Sequence, residues 1–239
     1  MIEEHVVVET PEGDMSTFIV RPQSDDLLPT ILFLMDAPGK REELHDMARR
    51  IAAAGYYVML PNLYYRDVPS FTVHREDPVS ARYMAQLMAN LSNSMVARDA
   101  AVLLNYAANE VAADENSVGV TGYCMSGPFA LWVAAEYPEK VKATASIHGV
   151  KLALDTEDSP HKRAEDIAAE VLVMAAEFDD CVDRPHFDRL VTALDDAGTN
   201  YNAEWIDGVH HGFVFPQRAK YDKMASERHW ELLHSLFDR

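Results

Sequence analysis

Cys124 stands in the run Gly122-Tyr123-Cys124-Met125-Ser126-Gly127, between the β-prone stretch 117–121 and the alanine-rich stretch 127–136. A thiol at such a strand-to-helix junction has the form of a nucleophile elbow. The sharp bend lifts the side chain above the sheet, strains its backbone, and needs small residues before and after so that strand and helix can cross. The helix N-terminus that follows favours a thiolate, and the N–H of Met125 is placed to donate to an oxyanion. The bland alternative is a small buried hydrophobe, as free cysteines often are. The flanking glycines at the junction favour the nucleophile.

A thiol nucleophile needs a base, and the base needs an orienting carboxylate. Ten histidines are available, and position selects among them. His211, in "HHGF", follows the last strand and precedes the closing helix; His210 would point the other way at a strand-end turn, and Gly212 leaves space beside His211. Asp179, in "EFDD", is the candidate acid with Asp180 as rival, one of the two being a solvated loop carboxylate or a helix cap. The chain order Cys124, Asp179, His211 is the nucleophile–acid–base order of α/β-hydrolases.

These residues need strands and helices to place them. Residues 5–22, "HVVVETPEGDMSTFIVRP", read as two strands joined at "PEGD". "TILFLMDAPG" carries a continuous apolar run, Ile31 to Met35, expected of a strand buried on both faces. Leu44, Met47, Ala48 and Ile51 fall at i, i+3, i+4 and i+7 of an amphipathic helix that Gly55 stops, and "YYVML" is the next strand. Residues 66–80 have loop composition, and the helical stretch 81–110 is interrupted near "NLSNS". Strands at "SVGVTGYC", "VKATASIHG", "AEVLVMAAE" and a short "YNAEWIDG" alternate with helices through "GPFALWVAAEYP", "RPHFDRLVTALDDAG" and the closing "KYDKMASERHWELLHSLFDR". This alternation predicts an α/β fold: a mostly parallel central sheet with helices on both faces and an N-terminal antiparallel hairpin, in a single domain over 1–239. In such sheets chemistry collects at the carboxyl ends of strands, where "MDAPG", "GYCMSG", "EFDD" and "GVHHGF" all fall.

Composition narrows the partners. The formal charge of −18, from 39 acidic and 21 basic residues, opposes nucleic acid and anionic membrane surfaces. No 18-residue apolar run suggests a membrane span, and the acidic N-terminus lacks the basic and apolar regions of a signal peptide, so a cytoplasmic location is expected. Two cysteines in a chain of this length are expected to stay free, and no CxxC or Cys/His spacing suggests zinc. No metal or organic cofactor is expected.

On these stretches the chain resembles the dienelactone hydrolase family of the α/β-hydrolase superfamily, from about residue 5 to 238. "GYCMSG" resembles the family's Gly-x-Cys-x-Gly-Gly elbow, "AAGYYVMLPNLYYR" its "GY-x-V-hydrophobic-x-P-x-LY" segment, "EFDDCVD" its acid loop and "HGF" its histidine loop. In the family's acid loop the aspartate stands three before a valine, which implies Asp179, three before Val182, as the acid. The histidine directly before Gly-Phe implies His211 as the base. The resemblance further implies that Asp36 contacts the resting thiol and that the N–H of Ala37 completes the oxyanion hole with that of Met125. Ser126 departs from the first glycine of the family's pair, and Asp36 is a methylene shorter than the expected glutamate. Arg82 is the one candidate for the arginine that holds a substrate carboxylate in the namesake reaction, with an exposed helix residue as the alternative. His148, at another strand end, is expected to line the pocket or to be a capped structural histidine, and Cys181 to pack or be oxidised.

The reaction implied is hydrolysis of a small-molecule ester or lactone through a thioester on Cys124, by a monomer or homodimer. Phe71, Tyr83, Tyr64 and Tyr65 hint at an apolar or ring-bearing acyl group and read equally as core. Two other classes compete. One is a metal site built from Asp36, His148, Asp179, His210 and His211, which the lack of HxH or HxxxH spacing opposes. The other is a non-catalytic or redox-sensing α/β-hydrolase-fold protein that binds a ligand, marked by inactivity on esters together with ready sulfenylation of Cys124.

Overall fold

The computed structural model describes residues 1–74 and 76–238. Within it the chain forms two compact units, Met1–Val118 and Gly119–Arg239.

In the first unit, β1 (Ile2–Thr10) and β2 (Gly13–Arg21) form the expected hairpin, with Thr10 opposite Gly13 across the Pro11-Glu12 turn. The Thr10 hydroxyl closes that turn on the Gly13 carbonyl at 2.8 Å. The strand order is β1-β2-β4-β3, with β3 (Leu28–Leu34) parallel to β4 (Tyr57–Pro61) and β4 antiparallel to β2. Every residue of β4 is buried, as a run covered on both faces should be. The crossover from β3 to β4 is α1 (Glu42–Ala52). It buries Leu44, Met47, Ala48 and Ile51, the stripe its 3.6-residue period predicts, with acids in the first turn and Arg49 and Arg50 in the last. The later helical stretch is indeed broken. Asp77 caps α2 (Pro78–Ala89) through the Val79 N–H, and Ser92 caps α3 (Asn93–Ala107) through the Met95 N–H. Polar side chains that accept from backbone N–H groups start a helix more readily than they continue one, so "NLSNS" splits the two.

In the second unit the order is β5-β6-β7-β8. β5 (Ala113–Tyr123) enters it at Gly119, followed by β6 (Val141–Ile147), β7 (Glu170–Phe178) and β8 (Tyr201–His210). β6, β7 and β8 run parallel. α4 (Gly127–Glu136) follows β5, α5 (Arg184–Ala197) joins β7 to β8, and α6 (Lys223–Phe237) closes the chain. Asp183 caps α5 through the His186 N–H, and Gly198 ends it at φ +67°, so strand β7 hands over to its helix within a few residues of Asp179. β8 is longer than the sequence pattern suggests. It passes through Gly208 (φ +78°), where the register against β7 slips between Ala176 and Phe178 and the Glu177 carboxylate accepts the Gly208 N–H at 2.7 Å. A glycine that reads as a strand end is here a bulge, and the extra residues carry the strand up to His210.

Candidate active site

The elbow is built as its glycines require. β5 ends at Tyr123, and Cys124 takes φ +55°, a left-handed value that a non-glycine residue holds only when its surroundings enforce it. A side chain at Gly122 would run into the Ser126 carbonyl, and one at Gly127 into Gly149 and the Ser146 hydroxyl, so both positions must be bare for the turn to close. The carbonyl of Cys124 accepts the Val150 N–H at 3.1 Å, tying the strained residue to the loop after β6. Cys124 itself is half-buried and unpaired with Cys181; both are free thiols.

Asp179 and His211 meet at the ends of β7 and β8. The Nδ1 of His211 lies 2.7 Å from Oδ2 of Asp179, while Oδ1 of Asp179 accepts the Cys181 N–H at 2.8 Å. Both carboxylate oxygens are therefore engaged and the acid cannot rotate. The carboxylate is buried and the imidazole side chain is 22% exposed, so the pair is open to solvent on the histidine side alone. The backbone N–H of His211 donates to the Phe178 carbonyl at 3.0 Å, which fixes where the ring can reach. With Nδ1 on the acid, Nε2 is the nitrogen left for the sulfur. Burial pushes the His211 pKa down. The Asp179 hydrogen bond, the Cys124 hydrogen bond and the negative charge of both partners outweigh it and hold the pKa up at about 10. Such a site can hold a proton on the His211 imidazole beside a carboxylate.

The neighbours of these residues take other roles. His210 packs its ring on Phe178 at 4.9 Å, and Asp180 is exposed. Met125, next to Cys124 in the tight turn 124–126, is buried. His148 is 1% exposed, and its ring meets the His211 ring edge-on at 4.7 Å. Cys181 is exposed and carries a free thiol.

Three of the expected residues belong to the first unit. Asp36 and Ala37 follow β3, and both are buried. Asp36 is held by Arg41, with Nη1 at 2.5 Å and Nη2 at 3.3 Å, and the same guanidinium reaches Glu43 at 2.6 Å. The Ala37 carbonyl accepts the Tyr64 hydroxyl at 2.8 Å. Arg82 is exposed on α2. Tyr64 and Tyr65 are buried, whereas Phe71 bridges Tyr64 and the exposed Tyr83 by edge-on contacts of 6.0 and 5.9 Å. Sequence reasoning missed Arg41 as the partner of Asp36 and the Val150 N–H as a tie on Cys124. A basic residue five after a buried acid was a usable signal for the first, and a backbone donor leaves none.

The strand order and the tight turn at Cys124 are those of the α/β-hydrolase fold. The match to the dienelactone hydrolase family model runs over residues 15–239, and the chain belongs to that family. It is 27% identical over 237 residues to the carboxymethylenebutenolidase of Rhodococcus opacus, covering 96% of this chain and 88% of that one. Among solved structures, one from Klebsiella pneumoniae carried under the dienelactone hydrolase name superposes with TM-score 0.88 at 22% identity, over 100% of this chain and 98% of the other. A dienelactone hydrolase-like promiscuous phosphotriesterase from metagenomic libraries superposes with TM-score 0.81 at 17% identity, over 99% and 97%. Among the described residues no helix is long and apolar enough to cross a membrane.

Proposed function

We propose that the protein hydrolyses carboxylic esters or lactones through a thioester on Cys124, with His211 as base and acid and Asp179 as the group that orients it. The observation that carries this reading is the imidazole of His211, bonded to Asp179 at 2.7 Å, with Asp179 and Cys124 outweighing burial to hold its pKa up at about 10. An imidazolium that persists through neutral pH favours the thiolate beside it, and the turn into α4 adds its N–H groups.

The thiolate attacks the acyl carbon, and the bond to the alkoxy oxygen breaks as His211 gives its proton to that oxygen. In a lactone the released hydroxyl stays on the acyl chain, so the ring opens without loss of a fragment. The neutral His211 then takes a proton from water. The hydroxide attacks the thioester carbon, the carbon–sulfur bond breaks, and the thiolate–imidazolium pair is restored. The Met125 N–H serves as an oxyanion donor, a contribution of about 3 to 4 kcal/mol to each tetrahedral step. The test is steady-state turnover of short-chain p-nitrophenyl esters and small lactones by wild type and Cys124→Ala. Loss of activity by a factor of about 10⁴ or more is expected, and equal rates would remove the thiol from the reaction.

A further inference from the structure

A second imidazole lies against the triad and has no place in that reaction. His148 follows β6 at φ +38°, a left-handed value for a non-glycine residue, with its N–H on the Met174 carbonyl at 2.7 Å. Its side chain is buried, and neither ring nitrogen has a hydrogen-bond partner among the described residues. A buried donor and acceptor left unpaired are a cost that a fold retains only for a reason.

Its surroundings supply one. The His148 ring meets His211 edge to face at 4.7 Å, Phe215 at 5.5 Å and Phe213 at 5.6 Å, with Tyr123 tilted at 6.2 Å. Three of these four neighbours are apolar or phenolic rings, so a phenyl group would fill the position without stranding two nitrogens. The residues that follow His148 grip the nucleophile. Gly149 packs on Gly127, and the Val150 N–H binds the Cys124 carbonyl. One three-residue segment therefore touches the main chain of the sulfur-bearing residue and the ring of the base.

We propose that His148 is a positioning residue of the base: a neutral, polar ring seated on His211 that keeps it turned toward the sulfur and favours its protonated form. This rests on the proposed triad. The charged groups that face His148 are His211, Arg218 and His229. Burial first, and then those charges, hold its pKa well below the ordinary value, so it stays uncharged beside the His211 imidazolium. A neutral imidazole offers an adjacent cation a lone pair and a sizeable dipole in a poorly screened setting, which a phenyl edge does not.

The test uses the full chain with His148→Phe and His148→Gln. The Phe variant is expected to melt at or above the wild-type temperature, because two unpaired polar atoms are gone. Its kcat on short alkyl esters is expected to fall about tenfold with KM within about twofold, and the alkaline limb of its pH profile to move down by about one pH unit. The Gln variant, which keeps a neutral dipole, is expected to recover part of both. A folded Phe variant with wild-type kcat and pH profile overturns the proposal and leaves packing as the role. Nitrogen-15 shifts of the wild-type rings give a check that needs neither variant nor turnover. A neutral His148 whose shifts step as His211 titrates near pH 10 is expected, and a His148 that protonates between roughly pH 6 and pH 9 contradicts it. Because that readout is independent of activity, an inactive triad and a wrongly assigned His148 are told apart.

Discussion

Two aspartates at strand ends, one in each unit, have opposite fates. Asp36, two residues after β3, is buried against Arg41, five positions on. Asp179, one residue after β7, is buried against His211, thirty-two positions on. Arg41 cannot give up its proton: burial pulls its pKa down, but Asp36 and Glu43 outweigh that and raise it, so the first pair is a fixed charge arrangement. His211 can lose its proton, so the second pair is suited to orient a group that moves one, as the proposed reaction requires. A carboxylate at a strand end is thus architecture or chemistry according to its partner, and its own burial does not distinguish the two.

The largest effect is expected at Asp179. Asp179→Asn leaves shape but removes the charge and the acceptor that fix the Nδ1–H tautomer, and kcat/KM is expected to fall about a thousandfold or more. The His211 titration, followed by NMR, should drop from about 10 at the same time. Arg41→Met tests the other pair. It strands the buried carboxylates of Asp36 and Glu43, and urea titration should show a loss of about 3 to 5 kcal/mol, the usual cost of removing one partner of a buried pair. The double variant Asp36→Asn/Arg41→Met should recover part of that loss.

A pH series sharpens the contrast. His211 is raised from an ordinary 6.5 to about 10, so the stability its protonated form contributes is full below pH 6.5 and lost as pH rises through about 10. Over the same alkaline range kcat/KM for alkyl esters and lactones should fall, since their leaving oxygen needs the His211 proton. The fall should be weaker for p-nitrophenyl esters, whose leaving group departs as an anion. The smallest effects belong to the neighbours of the acid. Asp180→Asn and Cys181→Ser should each change kcat/KM by about twofold at most, because one is exposed and the other binds Asp179 through its backbone N–H.

Much of this was legible in the sequence because it rests on local rules. The spacing of Leu44, Met47, Ala48 and Ile51 sets α1, Ser92 marks where the long helical stretch breaks, and Gly122 and Gly127 announce a crossing that allows no side chain. The Asp179–His211 pairing was legible through chain order and the valine three residues beyond the acid, although composition alone could not separate Asp179 from Asp180. What stayed hidden depends on contacts between distant residues. The bulge at Gly208 needs the partner strand β7 to reveal it, and the tie from Val150 is a backbone donor with no sequence mark. The burial of His148 depends on Phe213 and Phe215, more than sixty positions away, closing over a ring that in sequence simply follows a strand.

The proposed reaction depends on the sulfur of Cys124 carrying the acyl group. Acid quenching of the wild type during turnover of a short ester, followed by peptide mass spectrometry, tests it directly. An acyl mass increment on the peptide holding Cys124, larger in a His211→Asn variant supplied with an activated ester because deacylation is slowed, is the predicted result. Steady turnover with the increment on another residue, or with undiminished activity in Cys124→Ala, would contradict it.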